Sequence, residues 1–276
     1  MNLETSPGVV EFRLSDLVVG CYRYSDDFKP HLHPLRTPRG HCVTSASPHD
    51  HKHHKGLMYA LRTEDVNFWE ETSTLPGEVP GMQRHLDFQE PIRRGLEVGF
   101  IEKLEWCAQD GSLPSFEETR TIFCRQNSQS FLWTWKTQLT ALRPLTLVQS
   151  QWSHLDSGSG KKTNYHGLGS RLRRDMGGLT RGNQLVLDGV VHDGDFTTYM
   201  GSIPRVVSFA GRLDGTYPVE SACVTFGQDQ KNALYVCNDV FPFMALGPTN
   251  ASGMRLRAGD RIEESYTVLV ADVPSP

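Results

Sequence analysis

Imidazole is the side chain best suited to carry protons or bind a transition metal near neutral pH, and this chain concentrates it. Of its 11 histidines, seven fall between His31 and His54, and four lie within the six residues His49–His54. The stretch reads His31-Leu32-His33-Pro34 and, further on, His49-Asp50-His51-Lys52-His53-His54-Lys55-Gly56. In an extended chain, residues two apart share a side. That spacing predicts that His31 converges with His33, and His49 with His51 and His53, leaving His54 on the opposite side with Asp50. Three chemistries fit: ligation of one divalent metal (Zn, Mn or Fe) with Asp50 as ligand or ligand partner, metal-free acid–base and hydrogen-bonding work in a polar pocket, or a solvated loop. The segment is not an HExxH helix motif.

Around the cluster lie further candidates. Arg171 can fork onto a carboxylate or sugar hydroxyls, and His166 stands five residues before it. Trp69 could present an aromatic face to the C–H side of a sugar ring, or be core. Glu70 and Glu71 read as a solvated pair, with a general base or metal ligand as the alternative. Arg36 and Arg39 could meet an anionic group or solvate a loop. Trp133 and Trp135 alternate strictly and read as core.

The elements that must position these groups carry the period of β structure. Phe131, Trp133 and Trp135 fall on one face, and Phe116, Ile122 and Cys124 share a face that also holds Glu118 and Arg120. Ile262, Tyr266 and Val268 repeat the pattern. Asp-Gly pairs at 110–111, 188–189, 193–194 and 214–215 mark turns, because both residues tolerate positive φ. No capped helical stripe is sustained. The expected architecture is all-β, a large antiparallel β-sandwich in one domain over residues 1–276. The segments 29–55 and 70–91, rich in Pro and Gly, are expected as long functional loops, the first of them roofing the site.

A chain of 276 residues with 28 Lys+Arg and 32 Asp+Glu has no basic excess, which argues against a nucleic-acid partner. It has no apolar run long enough for a membrane helix and no signal-peptide pattern, so a cytoplasmic protein with no membrane partner is expected. The six cysteines form no CxxC pair and read as reduced, mostly buried thiols. Neither GxGxxG nor a P-loop is present. Nothing in the sequence speaks to oligomeric state.

The segments "KPHLHPLRTPRGHCVT", "DHKHHKGLMYA" and "VNFWEE" together resemble the PmoA-like domain family. The match covers Lys29, Pro30, His33, Pro34 and Leu35, then Asp50, His51, His53, His54, Gly56 and Leu57, then Val66, Asn67, Phe68 and Trp69. "YHGLGSRLRR" is similar to that family's later segment at Gly167, Leu168 and Arg171, and the C-terminal "LRAGDRIEESYTVLV" to its ending. Lys52, Met58, Asn67-Phe68 and Asp260 depart from the pattern. A membrane oxygenase activity does not follow, for want of a spanning run.

The resemblance implies a galactose-mutarotase-like supersandwich working on a small-molecule carbohydrate. The expected function is that of an epimerase, lyase or hydrolase acting on a sugar or glycoside. Asp50, His51, His53 and His54 are the expected catalytic residues, and His33, Arg36, Trp69, His166 and Arg171 the expected substrate contacts. His33, His51 and His53 are the ligands if a metal binds. The alternatives are a non-catalytic carbohydrate-binding or sensing module, and a metal-binding or storage protein.

Overall fold

Alternation in the sequence becomes two long neighbouring strands, Phe116–Gln126 and Ser130–Ala141, paired so that Ile122 faces Trp135 and Cys124 faces Trp133. Phe131, Trp133 and Trp135 all turn inward and are buried. The computed structural model describes residues 1–273 except 27, 90 and 217, and omits the side chains of 92 and 94. These strands sit at the middle of an eleven-stranded sheet. Its order is Val190–His192, Gln184–Leu187, Val206–Leu213, Glu220–Gln228, Arg261–Val273, Ser130–Ala141, Phe116–Gln126, Glu97–Ala108, Val79–Phe88 and Val66–Asn67, with Ile92–Arg94 beside Glu97–Ala108. Every pairing is antiparallel except the short contact of Val66–Asn67 with Val79–Phe88.

A second sheet of eight strands runs Asn2–Ser6, Val9–Leu14, Leu17–Arg23, His31–Leu35, Leu57–Ala60, Gly167–Arg171, Phe243–Gly247 and Ala233–Cys237. The two sheets face each other across an aromatic core. Phe12 meets Trp133 at 4.7 Å between ring centroids, Tyr22 meets Phe100 at 5.0 Å and Tyr59 meets Trp106 at 6.2 Å. Face-to-face packing of two antiparallel sheets makes this an all-β sandwich. The Asp188-Gly189 turn has φ of 47° and 88°, the two positive values that a tight hairpin requires, and joins Gln184–Leu187 to Val190–His192.

Glu118 and Arg120 keep the face that their alternation assigns them, and so lie inside the core. Arg120 donates to both oxygens of Glu118, at 2.9 and 2.7 Å, to Tyr22 at 3.0 Å and to Gln83 at 2.9 Å. Trp106 and Thr137 complete the Glu118 carboxylate, and Tyr22 and His85 donate to Glu102.

Two expected loops are corrected. Within 70–91, Val79–Phe88 is a ten-residue strand paired with Glu97–Ala108. Pro80, Gly81 and a half-exposed side-chain pattern hide it in the sequence. Within 29–55, His31–Leu35 is a strand and bridges join Arg36 to Cys42, Thr44 to Leu172 and Ala46 to Lys55. Among the described residues all six cysteines are free, five of them buried, and no helix is long and apolar enough to cross a membrane.

Three strands that lie side by side in the smaller sheet prepare the site. Leu57–Ala60 follows the histidine segment, Gly167–Arg171 follows Tyr165-His166 and ends on Arg171, and Phe243–Gly247 follows Phe241. Their pairing sets Leu57 opposite Ser170 and Arg171 opposite Phe243.

Candidate functional site

The histidine segment is not extended. The Pro48 carbonyl accepts from the His51 amide at 3.1 Å, the His51 carbonyl from the His54 amide at 3.0 Å, and the His54 carbonyl from the Ser47 amide at 2.6 Å. Residues three apart in such a turn stack, so His51 and His54 lie ring on ring at 4.7 Å with planes 16° apart. The two-sided arrangement expected from an extended chain is therefore replaced by one in which Asp50, His51, His53 and His54 face one space, and His49 is not part of its lining. His54 also stacks on Phe243 at 4.9 Å and takes the edge of His53 at 4.6 Å. The turn ends at Gly56, whose φ is +83° and whose absent Cβ would stand 2.5 Å from the Leu32 carbonyl oxygen. Only glycine fits there.

The space is a cavity of about 500 Å³, within the range of small-molecule sites. Asp50, His51, His53, His54 and Glu70 give it a titratable wall. Thr72, Thr74, Trp152, Tyr165, Tyr235, Phe241 and Phe243 form the rest.

Arg171, 2% exposed, organises the first wall from behind. One of its nitrogens donates to Asp50 Oδ2 at 2.9 Å and another reaches His54 Nδ1 at 3.1 Å, while the guanidinium lies 4.3 Å from the Phe241 ring centre. A guanidinium has no acceptor. His54 Nδ1 must therefore accept, and the imidazole proton sits on Nε2, which makes no hydrogen bond among the described residues. Burial draws the Asp50 carboxyl upward, but the Arg171 hydrogen bond and charge hold it at about 2. His51 Nδ1 lies 3.5 Å from Asp50 Oδ2 without making a hydrogen bond.

The imidazoles are neutral at physiological pH. Burial and the Lys29 charge lower His53 to about 3, and burial with its stacked neighbours puts His54 well below its ordinary value. His51 is lowered by burial against the pull of Asp50.

Glu70 corrects the expectation of a solvated pair. Its side chain is buried at the cavity wall, and Oε1 accepts from Ser150 Oγ at 2.8 Å and Tyr165 OH at 2.7 Å. Oε2 is buried with no hydrogen-bond partner among the described residues. Burial favours the protonated acid, yet the His166 imidazole and the two hydroxyl donors bring the pKa below the usual value. Glu71 is equally withdrawn from solvent, paired with the fully buried Lys29 at 2.8 Å.

Other expected contacts are not brought to the cavity wall. Trp69 is fully buried behind it, against Tyr165 at 5.5 Å and His166 at 5.4 Å, so it is core rather than an open platform. His166 is fully buried, lowered to about 4 by burial, and neither ring nitrogen makes a hydrogen bond. Arg36 donates to the Gly40 carbonyl at 3.1 Å. His33 Nδ1 is hydrogen-bonded to Thr44 at 3.0 Å, and His33 is not among the residues that line the cavity with His51 and His53. Among the described residues, no group of three or more His, Cys, Asp or Glu side chains is arranged to hold a metal ion. The expected ligand set does not fit one.

The residues that sequence reasoning did not single out, Thr72, Thr74, Trp152, Tyr165, Tyr235, Phe241 and Phe243, come from four separate segments. Their local signal is slight: Tyr165 precedes His166, and Thr72 follows the Glu pair.

Fold and site together define a β-sandwich protein with an aromatic cavity whose titratable wall is built on three adjacent strands. The chain belongs to DUF6807, a family of unknown function, which matches residues 10–275. That membership replaces the PmoA-like one read from the Asp50–Gly56 core. No curated protein matches the chain. Among solved structures it is similar to the alpha-galactosidase from Lactobacillus brevis, with a TM-score of 0.43 and 9% identity, over 99% of this chain and 39% of that one. The chain thus spans well under half the length of that structure.

Proposed function

We propose that the protein is a carbohydrate-active enzyme that moves a proton at or α to a carbonyl, or at the anomeric carbon, of a sugar or glycoside, as an epimerase, lyase or hydrolase does. The observation that carries this reading is Glu70, a carboxylate at the cavity wall with one oxygen held by two hydroxyls and the other unpartnered. Its orientation is set before a ligand arrives, which removes an entropic part of the barrier. With its pKa lowered it is ionised at neutral pH, so it begins as a base and returns the proton afterwards.

His54 is the complementary group. Arg171 keeps its proton on Nε2, so it donates toward an oxygen on which negative charge develops. Asp50 acts through Arg171, as the anchor of the guanidinium that fixes His54. His51 and His53, neutral, offer donors and acceptors to hydroxyls, and the faces of Phe241, Phe243 and Tyr235 suit the C–H side of a ring.

One observation favours a binding module as the second reading: the three cavity imidazoles all have pKa values lowered from the ordinary 6.5, further from neutral pH. The test is ¹H NMR at neutral pH of free aldoses and ketoses and of methyl and phenyl glycosides, with wild type and His54→Phe. That substitution keeps the stack on Phe243 and removes the donor. Consumption of at least one compound, slowed about 100-fold or more in the variant, is the expected result. Binding without product from any compound overturns the enzyme reading in favour of the module.

A further inference from the structure

Trp152 is 67% exposed and yet lines the cavity. An exposed indole on a floppy loop would carry little meaning, but this one stands on a pinned turn. The Ser153 amide and hydroxyl both bond the Ser150 carbonyl, at 3.1 and 2.7 Å, and the Trp152 amide donates to Ser150 Oγ at 3.2 Å. Asn164 Oδ1 receives the Ser150 amide at 3.1 Å and the Ser153 hydroxyl at 3.2 Å, and Gln151 reaches the Thr74 carbonyl at 3.3 Å. The same Ser150 hydroxyl holds Glu70 Oε1. The backbone that carries the exposed ring is thus held at a fixed place relative to the carboxylate, with the Trp152 amide and Glu70 Oε1 on the same Ser150 hydroxyl.

The cavity is larger than one sugar needs. At water's liquid share of about 30 Å³ per heavy atom, a generous allowance, a hexose of about a dozen heavy atoms takes no more than about 360 Å³. The cavity holds about 500 Å³. Its lining joins the charged and imidazole groups of Asp50–His54 and Glu70 to an exposed aromatic face, Trp152, and to Thr72 and Thr74.

From this aromatic face on a pinned turn and the spare volume, we infer that the ligand is a glycoside rather than a free monosaccharide, with Trp152 stacking on the group that follows the reacting sugar, an aglycone or a second ring. This rests on the carbohydrate reading of the same cavity. Trp152 then determines specificity and takes no part in proton transfer. The probes are methyl and phenyl glycosides of glucose and galactose, with lactose and cellobiose, titrated by calorimetry into wild type, Trp152→Ala and Trp152→Tyr. In wild type at least one phenyl glycoside or disaccharide binds more tightly than its methyl counterpart. Trp152→Ala reduces that preference by about tenfold, the scale of an aromatic contact, and leaves methyl glycoside binding unchanged. Trp152→Tyr restores most of it. A melting temperature equal to wild type shows that the exposed side chain was removed without harm to the fold. If Trp152→Ala weakens methyl and phenyl glycosides equally, or neither, this inference falls while the carbohydrate reading stands. If no glycoside of either kind binds wild type, both fall.

Discussion

Two of the sets of buried charges in this molecule differ in how completely they are partnered. Between the sheets, both oxygens of Glu118 are hydrogen-bonded, and Arg120 uses all three of its nitrogens on Glu118, Tyr22, Gln83 and the Pro30 carbonyl. Around the cavity, Asp50 Oδ1 and Glu70 Oε2 make no hydrogen bond among the described residues, nor do Trp69 Nε1, Ser170 Oγ and both nitrogens of His166 behind it. A buried polar atom without a partner is costly and uncommon. A satisfied network is what a fold needs in order to specify its packing. A cluster left unsatisfied beside a cavity is what a ligand needs in order to be recognised. Hydrogen-bond completeness separates these two sets, although buried atoms without a hydrogen bond also lie elsewhere, in Arg62, which is ion-paired with Glu78, and in Trp133 Nε1 of the core.

The largest effect that would break this comparison lies in the core. Arg120→Met leaves Glu118 and Glu102 buried without their cation and is expected to cost about 3–5 kcal/mol in chemical denaturation. A loss below about 1 kcal/mol would mean that the network is not structural.

The next effect is in pH. Burial lowers His31, His33 and His166 to about 4 and His53 to about 3 in the folded chain, against an ordinary 6.5. Their folded pKa values are depressed, so the unfolded chain binds more protons across that interval. Stability is therefore full above pH 6.5 and falls as the pH drops from 6.5 toward 3–4. His53→Gln, which cannot charge, is expected to give a shallower decline in urea midpoint over this window. An identical slope would show that His53 is not held neutral.

A smaller effect sharpens the site itself. With Arg171→Met, His54 loses the donor that fixes its tautomer, so ¹⁵N NMR should change from a single Nε2–H form to a mixture. Retention of the Nε2–H form alone would remove Arg171 from the positioning role argued for it.

Much of the fold was legible because its strands are amphipathic at period two. Phe131, Trp133 and Trp135 gave the inner face directly, and the same alternation carried Glu118 and Arg120 inward despite their charge. Asp188-Gly189 declared its hairpin through the two residues that tolerate positive φ. Val79–Phe88 was hidden because its two faces are both partly exposed, and Pro80 and Gly81 imitate a loop. At the site, the concentration of histidine pointed to the right segment, but period-two spacing misplaced the rings. A turn closed by Pro48, His51 and His54 overrides the extended geometry that spacing assumes. Glu70 and Glu71, adjacent and so facing opposite ways on an extended chain, read as a solvated pair, and nothing local reveals the Ser150 and Tyr165 hydroxyls that meet Glu70. Phe241, Phe243, Tyr165 and Trp152 reach the cavity through pairings between strands far apart in sequence, which no local pattern encodes. The resemblance read from the Asp50–Gly56 core led to a different family from the one the chain belongs to.

The central claim is that the unpartnered carboxylate works on a ligand while the partnered ones hold the fold. It is tested most directly by Glu70→Gln, measured for melting temperature and for turnover of whichever sugar or glycoside the wild type consumes. The amide is nearly isosteric and its oxygen still accepts from Ser150 and Tyr165. The expected result is a melting temperature within about 3 °C of wild type and turnover lower by about 100-fold or more. A variant that melts far below wild type while the protein that stays folded turns over at the wild-type rate would contradict the account.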